Sequence, residues 1–354
     1  MRITAVIPQR VSIPLHEPFV ISLGAIDAVD TVLVRIETDE GLVGIGEGSA
    51  VGFVTGETTD TVLGAIDQFT PMLLGLNPYA IEHIHHQMDR ILVRNGSAKA
   101  AIDIACYDLM AQAAGLPLYQ FLGGTSGEVR IDQTIGLGPP DVMARQAASI
   151  VAAGYTEIKI KAGSDEELDR KAIGLISAAA PGARLKVDAN QGWTVPTAMS
   201  MLGIYAVYGV SLVEQPLPHW DIEGMAYLRS HSPIPIMADE SCFTEHDASV
   251  IVRRNAADLI NIKLMKCGGI YRGLQINTIA EAAGIECMVG CMLESRVAIA
   301  AGAHLVASRA NIRHADLDSF TDFDDSSVVS SAFGFVPPVI YLSDEPGIGV
   351  KLKV

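Results

Sequence analysis

The chain has 354 residues, of which 49% are hydrophobic, and its formal net charge is −16 at pH 7. A chain of this size and apolar content can bury a large core, and it predicts one large domain together with a smaller one. The acidic balance argues against a surface for nucleic acid or for anionic membranes, because phosphate groups are bound by basic patches.

The sequence carries no pattern that predicts export or membrane insertion. Residues 1–19 lack the charged leader and long apolar core of a secretory signal. The longest apolar stretch, residues 297–310, is too short to span a bilayer and contains His304. The five cysteines are odd in number and scattered, which favours reduced thiols. We therefore expect a cytoplasmic protein without a membrane partner.

The first part of the chain alternates in the manner of antiparallel strands and then becomes helical. Residues 30–48 form two alternating runs joined by a turn at TDEG, which is the pattern of paired strands. Residues 59–75, 79–93 and 97–115 repeat apolar side chains with the spacing of amphipathic helices. We therefore predict an N-terminal α+β domain over residues 1–125.

Beyond residue 130, short runs rich in valine and isoleucine alternate with alanine-rich helical segments. This alternation predicts a parallel sheet that closes into a (β/α) barrel over residues 126–334. Residues 335–354 return to strand-like composition and are expected to fold back onto the first domain. The eight runs are RIDQTIGL (130–137), EIKIKA (157–162), RLKVDANQ (184–191), SLVEQPL (211–217), PIMADES (235–241), LINIKLM (259–265), ECMVGCMLES (286–295) and IRHADLD (312–318).

A charged residue stands near the end of five successive runs. Lys161, Asp188, Glu214, Asp239 and Lys263 are separated by 27, 26, 25 and 24 residues, which is one strand–helix unit per step. In a barrel of this type the carboxyl ends of the strands meet at one face, and that face carries the active site. One such residue alone would be read as part of a structural ion pair, but five in register predict a functional site.

Asp188, Glu214 and Asp239 offer carboxylate oxygens from neighbouring strands. Hard divalent ions such as Mg²⁺ take ligands of this kind, whereas zinc prefers histidine or cysteine. We therefore predict one Mg²⁺ site at these residues. Lys161 and Lys263 flank the site, and a lysine close to a cation and to another lysine is expected to have a lowered pKa and to act as a base.

Two further lysines occur in the same runs. In YTEIKIKAG, Lys159 and Lys161 alternate with isoleucines and therefore lie on one face of the strand. Lys159 lies one step deeper and is expected to support the electrostatics of Lys161. In NIKLMKCGG, the 24-residue step and the alternation favour Lys263 as the acid/base residue, and Lys266 is expected to be structural or to lie in the loop.

The motifs KIK, VDANQGW, VEQPL, ADES and NIKLMKCGGI occur in this order along the chain. Together they resemble the muconate lactonizing enzyme subgroup of the enolase superfamily, and the resemblance covers nearly the whole chain. It implies a modified TIM-type barrel with an N-terminal capping domain and Mg²⁺ at the three carboxylates. It also implies that Lys161 and Lys263 are acid/base catalysts on opposite faces of the substrate. The shared step is removal of the proton α to a carboxylate or to an amide carbonyl, which gives a metal-stabilised enolate.

The last run discriminates among the reactions of this subgroup. HADLDSF supplies Asp316 and Asp318, which share one face of a strand and suit a substrate ammonium group. This resembles the motif by which dipeptide epimerases hold the free N-terminus of a dipeptide. A muconate dianion would be repelled, and an N-acyl or succinyl substrate has no ammonium group. The structural alternative for the two aspartates is capping of a helix or loop.

One departure from the family pattern narrows the expected substrate. Epimerases for L-Ala-D/L-Glu carry an arginine in the loop after PF, and Gly24 stands at that place here. Phe53 and Leu293 would add apolar groups, and Thr134 and Met292 are expected to line the same site. We expect a dipeptide with an apolar or neutral second residue, with Ala-Glu disfavoured. A dipeptide with a cationic second residue stays an alternative, because three acidic residues are close by in the sequence, Asp322, Asp324 and Asp325.

The leading hypothesis is therefore a Mg²⁺-dependent epimerase that inverts the α-carbon of the C-terminal residue of a dipeptide and works as a homo-oligomer. Other reactions of the subgroup are the first alternative: o-succinylbenzoate synthesis, N-acylamino acid racemisation or muconate cycloisomerisation. A metal-binding scaffold on a decayed barrel is the non-enzymatic alternative. The complete set of three carboxylates and two lysines argues against the scaffold.

Overall fold

The computed structural model describes residues 1–353. It begins with an antiparallel sheet in the order β1 (Ile3–Ile21), β2 (Gly24–Thr38) and β3 (Val43–Ser49). The turn between β2 and β3 falls at the predicted TDEG, where Gly41 has a φ of 80° that suits glycine. The β1–β2 hairpin has an irregular register between Pro14 and Phe19, and its tip extends beyond the sheet to the mouth of the barrel.

The first half of the chain continues with helices that pack on this sheet. The Gly residues of β3 let the backbone of one helix approach closely, since a Cβ atom on Gly46 would lie 1.9 Å from the carbonyl oxygen of Ala101. The three longer helices lie where the apolar periodicity predicts them. The helices are α1 (Gly52–Thr55), α2 (Thr59–Leu73), α3 (Ile81–Ile91), α4 (Gly96–Ala114) and α5 (Leu118–Phe121).

A parallel sheet of eight strands forms the second half, after a short strand β4 (Glu128–Arg130). Its spatial order follows the chain order, as in a (β/α) barrel. The strands are β5 (Gln133–Ile135), β6 (Glu157–Lys161), β7 (Arg184–Asp188), β8 (Leu212–Glu214), β9 (Ile236–Ala238), β10 (Leu259–Lys263), β11 (Glu286–Gly290) and β12 (Ile312–Asp316).

Helices alternate with these strands and cover the outside of the barrel. Several begin with a side-chain cap, such as Thr194 and Thr244, each of which accepts a backbone N–H of its own first turn. The helices are α6 (Pro140–Ala152), α7 (Glu166–Ala179), α8 (Val195–Val207), α9 (Ile222–His231), α10 (Glu245–Arg254), α11 (Leu264–Cys267), α12 (Ile270–Ala282) and α13 (Arg296–Ser308). A 3₁₀ turn, Ser319–Thr321, follows β12.

The run of residues 130–137 was predicted as one barrel strand, and this is wrong. The chain changes sheets at Ile131 and Asp132, so that β4 pairs with a C-terminal strand while β5 pairs with β6. The same alternation of apolar and polar residues results whether the two halves of a run pair with one neighbouring strand or with two. The sequence pattern therefore does not indicate the break between β4 and β5. The barrel begins at Gln133.

The seam between the first and last barrel strands is joined locally. The backbone N–H of Asp132 donates to the carbonyl oxygen of Ala315 at 3.1 Å. The carboxylate of Asp318 accepts the backbone N–H of Thr134 at 2.6 Å and the side-chain amide of Gln133 at 3.1 Å. Side chains beyond the end of β12 therefore hold β5 in place.

The C-terminal segment forms short strands and then contacts the first half of the chain. The pairs are β14 with β15 and β15 with β4, and separately β13 with β16. Further on, the N–H of Leu118 donates to the carbonyl of Gly347, and the N–H of Ile348 donates to Asp108, both at 2.8 Å. The strands are β13 (Val329–Ser331), β14 (Gly334–Val336), β15 (Val339–Tyr341) and β16 (Lys351–Leu352).

Buried carboxylates of the N-terminal half cap helices of the barrel. Glu47 on β3 is buried and accepts the backbone N–H groups of Ser295 and Ala298 at the start of α13, at 2.9 and 3.0 Å. These groups would otherwise be unpaired at the first turn of a helix.

None of the helices in residues 1–353 combines the length and apolar character needed to span a bilayer.

Candidate active site

Asp188, Glu214 and Asp239 meet at the C-terminal face of the barrel. Asp188 and Glu214 end β7 and β8 and are paired in the strand ladder, and Asp239 directly follows β9. One carboxylate oxygen from each lies within 4.8 Å of the other two, and all three residues are buried. The sequence prediction of a convergent all-oxygen cluster agrees with this placement. Such a donor set suits a hard divalent cation.

The three carboxylates have divergent pKa values because they share a small buried volume. Burial, followed by the charge of Asp188, raises the pKa of Glu214 to about 8. Burial alone would raise the pKa of Asp188 as well, but the ammonium groups of Lys159 and Lys161 outweigh it and lower that pKa to about 2. The pKa values of neighbouring buried carboxylates separate in this way unless a cation offsets their negative charge.

Lys161 and Lys263 approach the cluster from different sides of the barrel. Lys161, the last residue of β6, places its Nζ 2.7 Å from Oδ2 of Asp188 and 3.0 Å from Oδ1 of Asn190. Lys263, the last residue of β10, places its Nζ 2.9 Å from Oδ2 of Asp239. Three strands separate β6 from β10 in the sheet order. The two amino groups therefore face the carboxylates from well-separated positions.

The lowered lysine pKa predicted from the sequence depends on a bound cation and stays a prediction, whereas the protein groups alone act in the opposite direction on Lys263. Burial lowers its pKa, but the attraction of Asp239, together with the charges of Glu214 and Asp188, outweighs burial and raises it. Lys159 behaves in the same way, since burial is outweighed by its anionic neighbours. A cation held by the three carboxylates would offset the negative charges that raise these lysine pKa values.

Lys159 lies one layer deeper than Lys161, as its position in the strand predicts. Its Nζ lies 3.0 Å from Asp188, 2.8 Å from Glu214 and 2.7 Å from Asp316. This lysine therefore joins the carboxylate cluster to the end of β12. Lys266 is also buried, and it donates to the carboxylate of Asp239 and to the carbonyl of Asn261, which agrees with a structural role.

Asp316 and Asp318 both line the cavity above the cluster, together with Thr134. Each carboxylate also has a hydrogen-bond partner in the protein. Asp316 accepts a hydrogen bond from Nζ of Lys159, and Asp318 accepts one from the backbone N–H of Thr134. Burial, followed by the charges of Asp316 and Asp322, raises the pKa of Asp318 well above its ordinary value. A cationic group entering the cavity would relieve this crowding.

The cavity has a volume of about 70 Å³, and the N-terminal half of the chain covers it. Phe53, Met292 and Leu293 line it, as predicted. Gly24 does not line the cavity, and a Cβ atom at this position would lie 3.3 Å from the ring of Phe53, so its contribution is space for that ring. Residues that the sequence argument did not place here also line the cavity, namely Phe19, Ile21, Ile26, Asn190, Glu240 and Cys291.

Asn190 and Glu240 could have been found from the sequence. Asn190 follows Asp188 by two positions in VDANQGW, and Glu240 directly follows Asp239 in ADES. Both are buried. Burial, followed by the charges of Asp239 and Asp188, raises the pKa of Glu240 to about 7. The hairpin residues gave no such signal, because their approach to the barrel depends on the packing of two distant parts of the chain.

Comparison with known families agrees with this architecture. Residues 3–123 match the family described as mandelate racemase/muconate lactonizing enzyme, N-terminal domain, and residues 142–354 match the enolase C-terminal domain-like family. The chain belongs to the enolase superfamily. The family resemblance inferred from the motifs is thereby confirmed, as is the barrel with an N-terminal capping domain.

Several superfamily members are similar to this chain over their full length. The hydrophobic dipeptide epimerase of Enterococcus faecalis is 46% identical over 99% of this chain and 100% of its own. A crystal structure of the dipeptide epimerase from that organism, complexed with Mg and the dipeptide L-Leu-L-Tyr, superposes with a TM-score of 0.96 at 45% identity and covers 99% of both chains.

Two other relatives differ in their substrates. The substrate-liganded L-Ala-D/L-Glu epimerase of Bacillus subtilis has a TM-score of 0.97 at 37% identity, with 100% of both chains covered. The N-succinyl-L-Arg/Lys racemase of Bacillus cereus is 38% identical over 100% of this chain and 96% of its own. Overall similarity alone therefore leaves the substrate class to be argued from the site.

Proposed function

We propose that this protein is a Mg²⁺-dependent dipeptide epimerase that inverts the α-carbon of the C-terminal residue. The observation that carries the proposal is the placement of two lysines on separate strands, β6 and β10, around one carboxylate cluster. Inversion requires a proton to leave one face of the α-carbon and another to return on the opposite face. One amino group on each side meets this requirement.

Asp188, Glu214 and Asp239 would hold the metal ion. Their donor set fits Mg²⁺, because three buried carboxylate oxygens lie within 4.8 Å of one another. When bound, Mg²⁺ offsets this negative charge and stabilises the charge that develops on the substrate carboxylate as the α-proton leaves. Lys159, in contact with Asp188 and Glu214, supports the same charge balance.

The proton transfers belong to Lys161 and Lys263. For one epimer, the neutral Nζ of one lysine takes the α-proton, and the electrons of the C–H bond enter the enolate. The ammonium group of the other lysine then donates a proton to the opposite face, and inversion is complete. The reverse direction uses the same two residues in exchanged roles.

Asp316 and Asp318 support a substrate with a free α-ammonium group, since both carboxylates line the cavity. Phe53, Met292 and Leu293 support apolar side chains in that substrate. The similarity to an epimerase named for hydrophobic dipeptides favours the same class. The similarity to an N-succinyl-amino acid racemase makes that reaction the second candidate, and its substrates lack the ammonium group.

Four further statements belong to this proposal. We place the boundary between the capping domain and the barrel at residues 125 and 126, between the two family matches. We assign residues 335–354 to the cap, supported by the hydrogen bonds of Gly347 with Leu118 and of Ile348 with Asp108. We place the enzyme in the cytoplasm, supported by cysteines that are free thiols within residues 1–353. We keep the homo-oligomer as a prediction, which size-exclusion chromatography with light scattering would check.

Isotope exchange tests the proposal directly. The protein is incubated with Mg²⁺ and a library of L,L-dipeptides in D₂O, and α-deuteration is followed by mass spectrometry and inversion by chiral chromatography. We expect deuterated L,D products from dipeptides with apolar residues and none after chelation of the metal. If no dipeptide incorporates deuterium while an N-succinyl amino acid does, the second candidate replaces the first.

A further inference from the structure

Asn190 connects one catalytic candidate to a residue on another strand. Its backbone is in the left-handed region, with a φ of 41°, which asparagine tolerates better than most residues. Its N–H donates to Asp188 at 3.0 Å and its Oδ1 accepts Nζ of Lys161 at 3.0 Å. Its Nδ2 donates to Oε1 of Glu240 at 3.1 Å. Both ends of the amide are therefore engaged.

Glu240 determines which way this amide points. A carboxylate accepts hydrogen bonds and an ammonium group donates them, so Nδ2 must face Glu240 and Oδ1 must face Lys161. A reversed amide would set two donors against each other at Lys161 and two acceptors against each other at Glu240. Without an acceptor at position 240, the orientation of the Asn190 amide would lose this second constraint.

The rest of the Glu240 side chain is not explained by packing. The residue is 3% exposed, and its Oε2 is buried without a hydrogen-bond partner among residues 1–353. A buried unpaired carboxylate oxygen costs stability, and an apolar side chain would avoid that cost. The residue lines the same cavity as Lys161 and Lys263, which indicates a task in that cavity.

Lys263 lies beside a carboxylate as Lys161 does, but no amide oxygen among residues 1–353 accepts a hydrogen bond from its Nζ. Its Nζ lies 2.9 Å from Oδ2 of Asp239. Asn261, the buried asparagine on the same strand, directs its Nδ2 to Oε1 of Glu214 at 2.8 Å. The amide of Asn190 thus binds Lys161, whereas the amide of Asn261 on β10 binds a carboxylate. The two faces of the substrate are supported unequally.

We propose that Glu240 is a positioning residue for Lys161, acting by fixing the Asn190 amide with Oδ1 toward the lysine. This role rests on the proposed epimerase function and deepens it. The positioned Nζ takes the α-proton on one face of the substrate, or returns it there, and Glu240 itself exchanges no proton. Loss of the Glu240 acceptor therefore impairs the Lys161 face and leaves the Lys263 face working.

The signature of this role is an asymmetry between the two epimers. For the epimer deprotonated by Lys263, removal of the proton continues, and the enolate is reprotonated more often by Lys263 itself. That epimer then gains deuterium with retention while its inversion slows. For the epimer deprotonated by Lys161, both retention and inversion slow. A general loss of packing would slow all four processes alike.

The test compares Glu240→Leu, which removes the acceptor at similar size, with Glu240→Gln, which retains an amide oxygen. Exchange and inversion of both epimers are measured in D₂O beside Lys161→Ala and Lys263→Ala. We expect Glu240→Leu to slow the Lys161-dependent steps about tenfold to a hundredfold, the scale of a small misplacement of a catalytic group. Its asymmetry should match that of Lys161→Ala, and Glu240→Gln should stay nearer the native protein.

A second variant guards against a folding defect at position 240. Asn190→Gly suits the left-handed backbone and removes the amide, so it should reproduce the asymmetry, and the double variant with Glu240→Leu should add no further loss. Asn261→Leu is the matched control and should slow both epimers equally.

Three results would overturn this role of Glu240. The first is an equal loss of exchange rate for both epimers in Glu240→Leu, and the second is a Glu240→Gln variant as impaired as Glu240→Leu. The third is a Mg²⁺ affinity lowered more than about tenfold in Glu240→Leu, which is the range expected for an outer-shell metal partner. If the native protein exchanges no dipeptide at all, the proposed function itself fails, which the native arm reports separately.

Discussion

The ring of Phe53 lies where a side chain on Gly24 would begin, beside the mouth of the barrel. A Cβ atom on Gly24 would lie 3.3 Å from Cε1 of Phe53, which is tighter than most real contacts of this kind. Gly24 begins β2 and Phe53 lies in α1, so this close approach joins the hairpin tip to the first helix of the capping domain. The ring is 40% exposed and lines the cavity. The absent side chain at position 24 is therefore what lets an apolar ring cover the site.

This close approach predicts that a change of substrate at position 24 needs a second change at position 53. An arginine at 24 could pair with a glutamate side chain of the substrate, but Phe53 occupies the volume that its stem needs. We expect Gly24→Arg alone to lower kcat/KM for L-Ala-L-Leu without gaining L-Ala-L-Glu. Gly24→Arg with Phe53→Ala should gain L-Ala-L-Glu. Gly64→Arg, at an exposed helical position, adds the same charge and is the control. Acceptance of the glutamate dipeptide by the single variant would refute the steric argument.

The metal site predicts a joint loss of binding and activity in Asp239→Asn. Removing one of three anionic ligands weakens an oxygen site for a hard cation. We expect the Mg²⁺ affinity to fall by at least about tenfold, because loss of an outer-shell partner alone can cost that much. Isothermal titration measures the affinity, and Asp324→Asn, which removes an exposed carboxylate, is the charge-matched control. Unchanged Mg²⁺ binding in Asp239→Asn would rule out the ligand assignment.

The two-lysine arrangement predicts face-selective exchange. Lys161→Ala and Lys263→Ala should each abolish epimerisation, because one face then lacks its acid/base group. Each variant should still exchange deuterium into one epimer of the dipeptide, and the two variants should select opposite epimers. Mass spectrometry of separated epimers measures this. Substantial inversion in either variant would show that the lysine concerned has another role.

The paired aspartates predict a requirement for a free N-terminus. N-acetylation of L-Ala-L-Leu removes the ammonium group and leaves Asp316 and Asp318 facing an amide. We expect kcat/KM to fall by at least about thirtyfold, the lower range for removing one partner of a buried charge pair. Among free dipeptides, L-Ala-L-Leu should outrun L-Ala-L-Glu. Equal rates for the acetylated and free forms would contradict the ammonium site, and a faster L-Ala-L-Glu would contradict the apolar side-chain site alone.

The buried His304 predicts how stability depends on pH. Burial lowers its pKa to about 4, and its Nδ1 accepts the backbone N–H of Tyr119 at 3.0 Å. The unfolded chain binds a proton near its ordinary value of about 6.5, whereas the folded protein does not. The contribution of His304 is therefore fully present above pH 6.5 and is lost as the pH falls toward 4. Between pH 7.5 and 5 the loss is about 2 kcal/mol.

Urea unfolding at both pH values checks this, with His304→Gln for comparison. The variant should be less stable at pH 7.5, because it fits the hydrogen bonds less well. Its free energy of unfolding should then decline less toward pH 5 than that of the native protein. Parallel declines in the two proteins would assign the pH dependence to other groups, such as His314, whose pKa is also lowered by burial.

The sequence predicted the parts of the site that follow from spacing along the barrel. One charged residue per strand–helix unit was enough to bring Lys161, Asp188 and Glu214 together, because parallel strands align their ends. The break at Ile131 was missed, since alternation does not reveal which strand is the partner. The charge balance around Lys263 could not be predicted, because it depends on the distance of 2.9 Å between its Nζ and Oδ2 of Asp239, which spacing along the chain does not give.

The capping domain accounts for most of what the sequence left out. Phe19 and Ile21 reach the barrel mouth through a long hairpin whose course depends on tertiary contacts. The side chain of Ser22 at its tip donates to the carbonyl oxygens of Ala189 and Asn190, at 3.2 and 3.1 Å. Contacts between residues so far apart in the chain have no periodic signature.

The bond between Asp318 and Thr134 has a consequence for how this enzyme can evolve. The same carboxylate that faces the cavity also holds the first barrel strand against the last. A lineage that replaced Asp318 to recognise a different group would loosen its own scaffold in the same step, and selection would oppose the change until a compensating substitution arose. The apolar cavity-lining side chains of the capping domain, such as Phe53, form no bond between the strands of the barrel. We therefore expect substrate specificity to change first through substitutions in the capping domain, while the residues that join the first and last barrel strands stay the same.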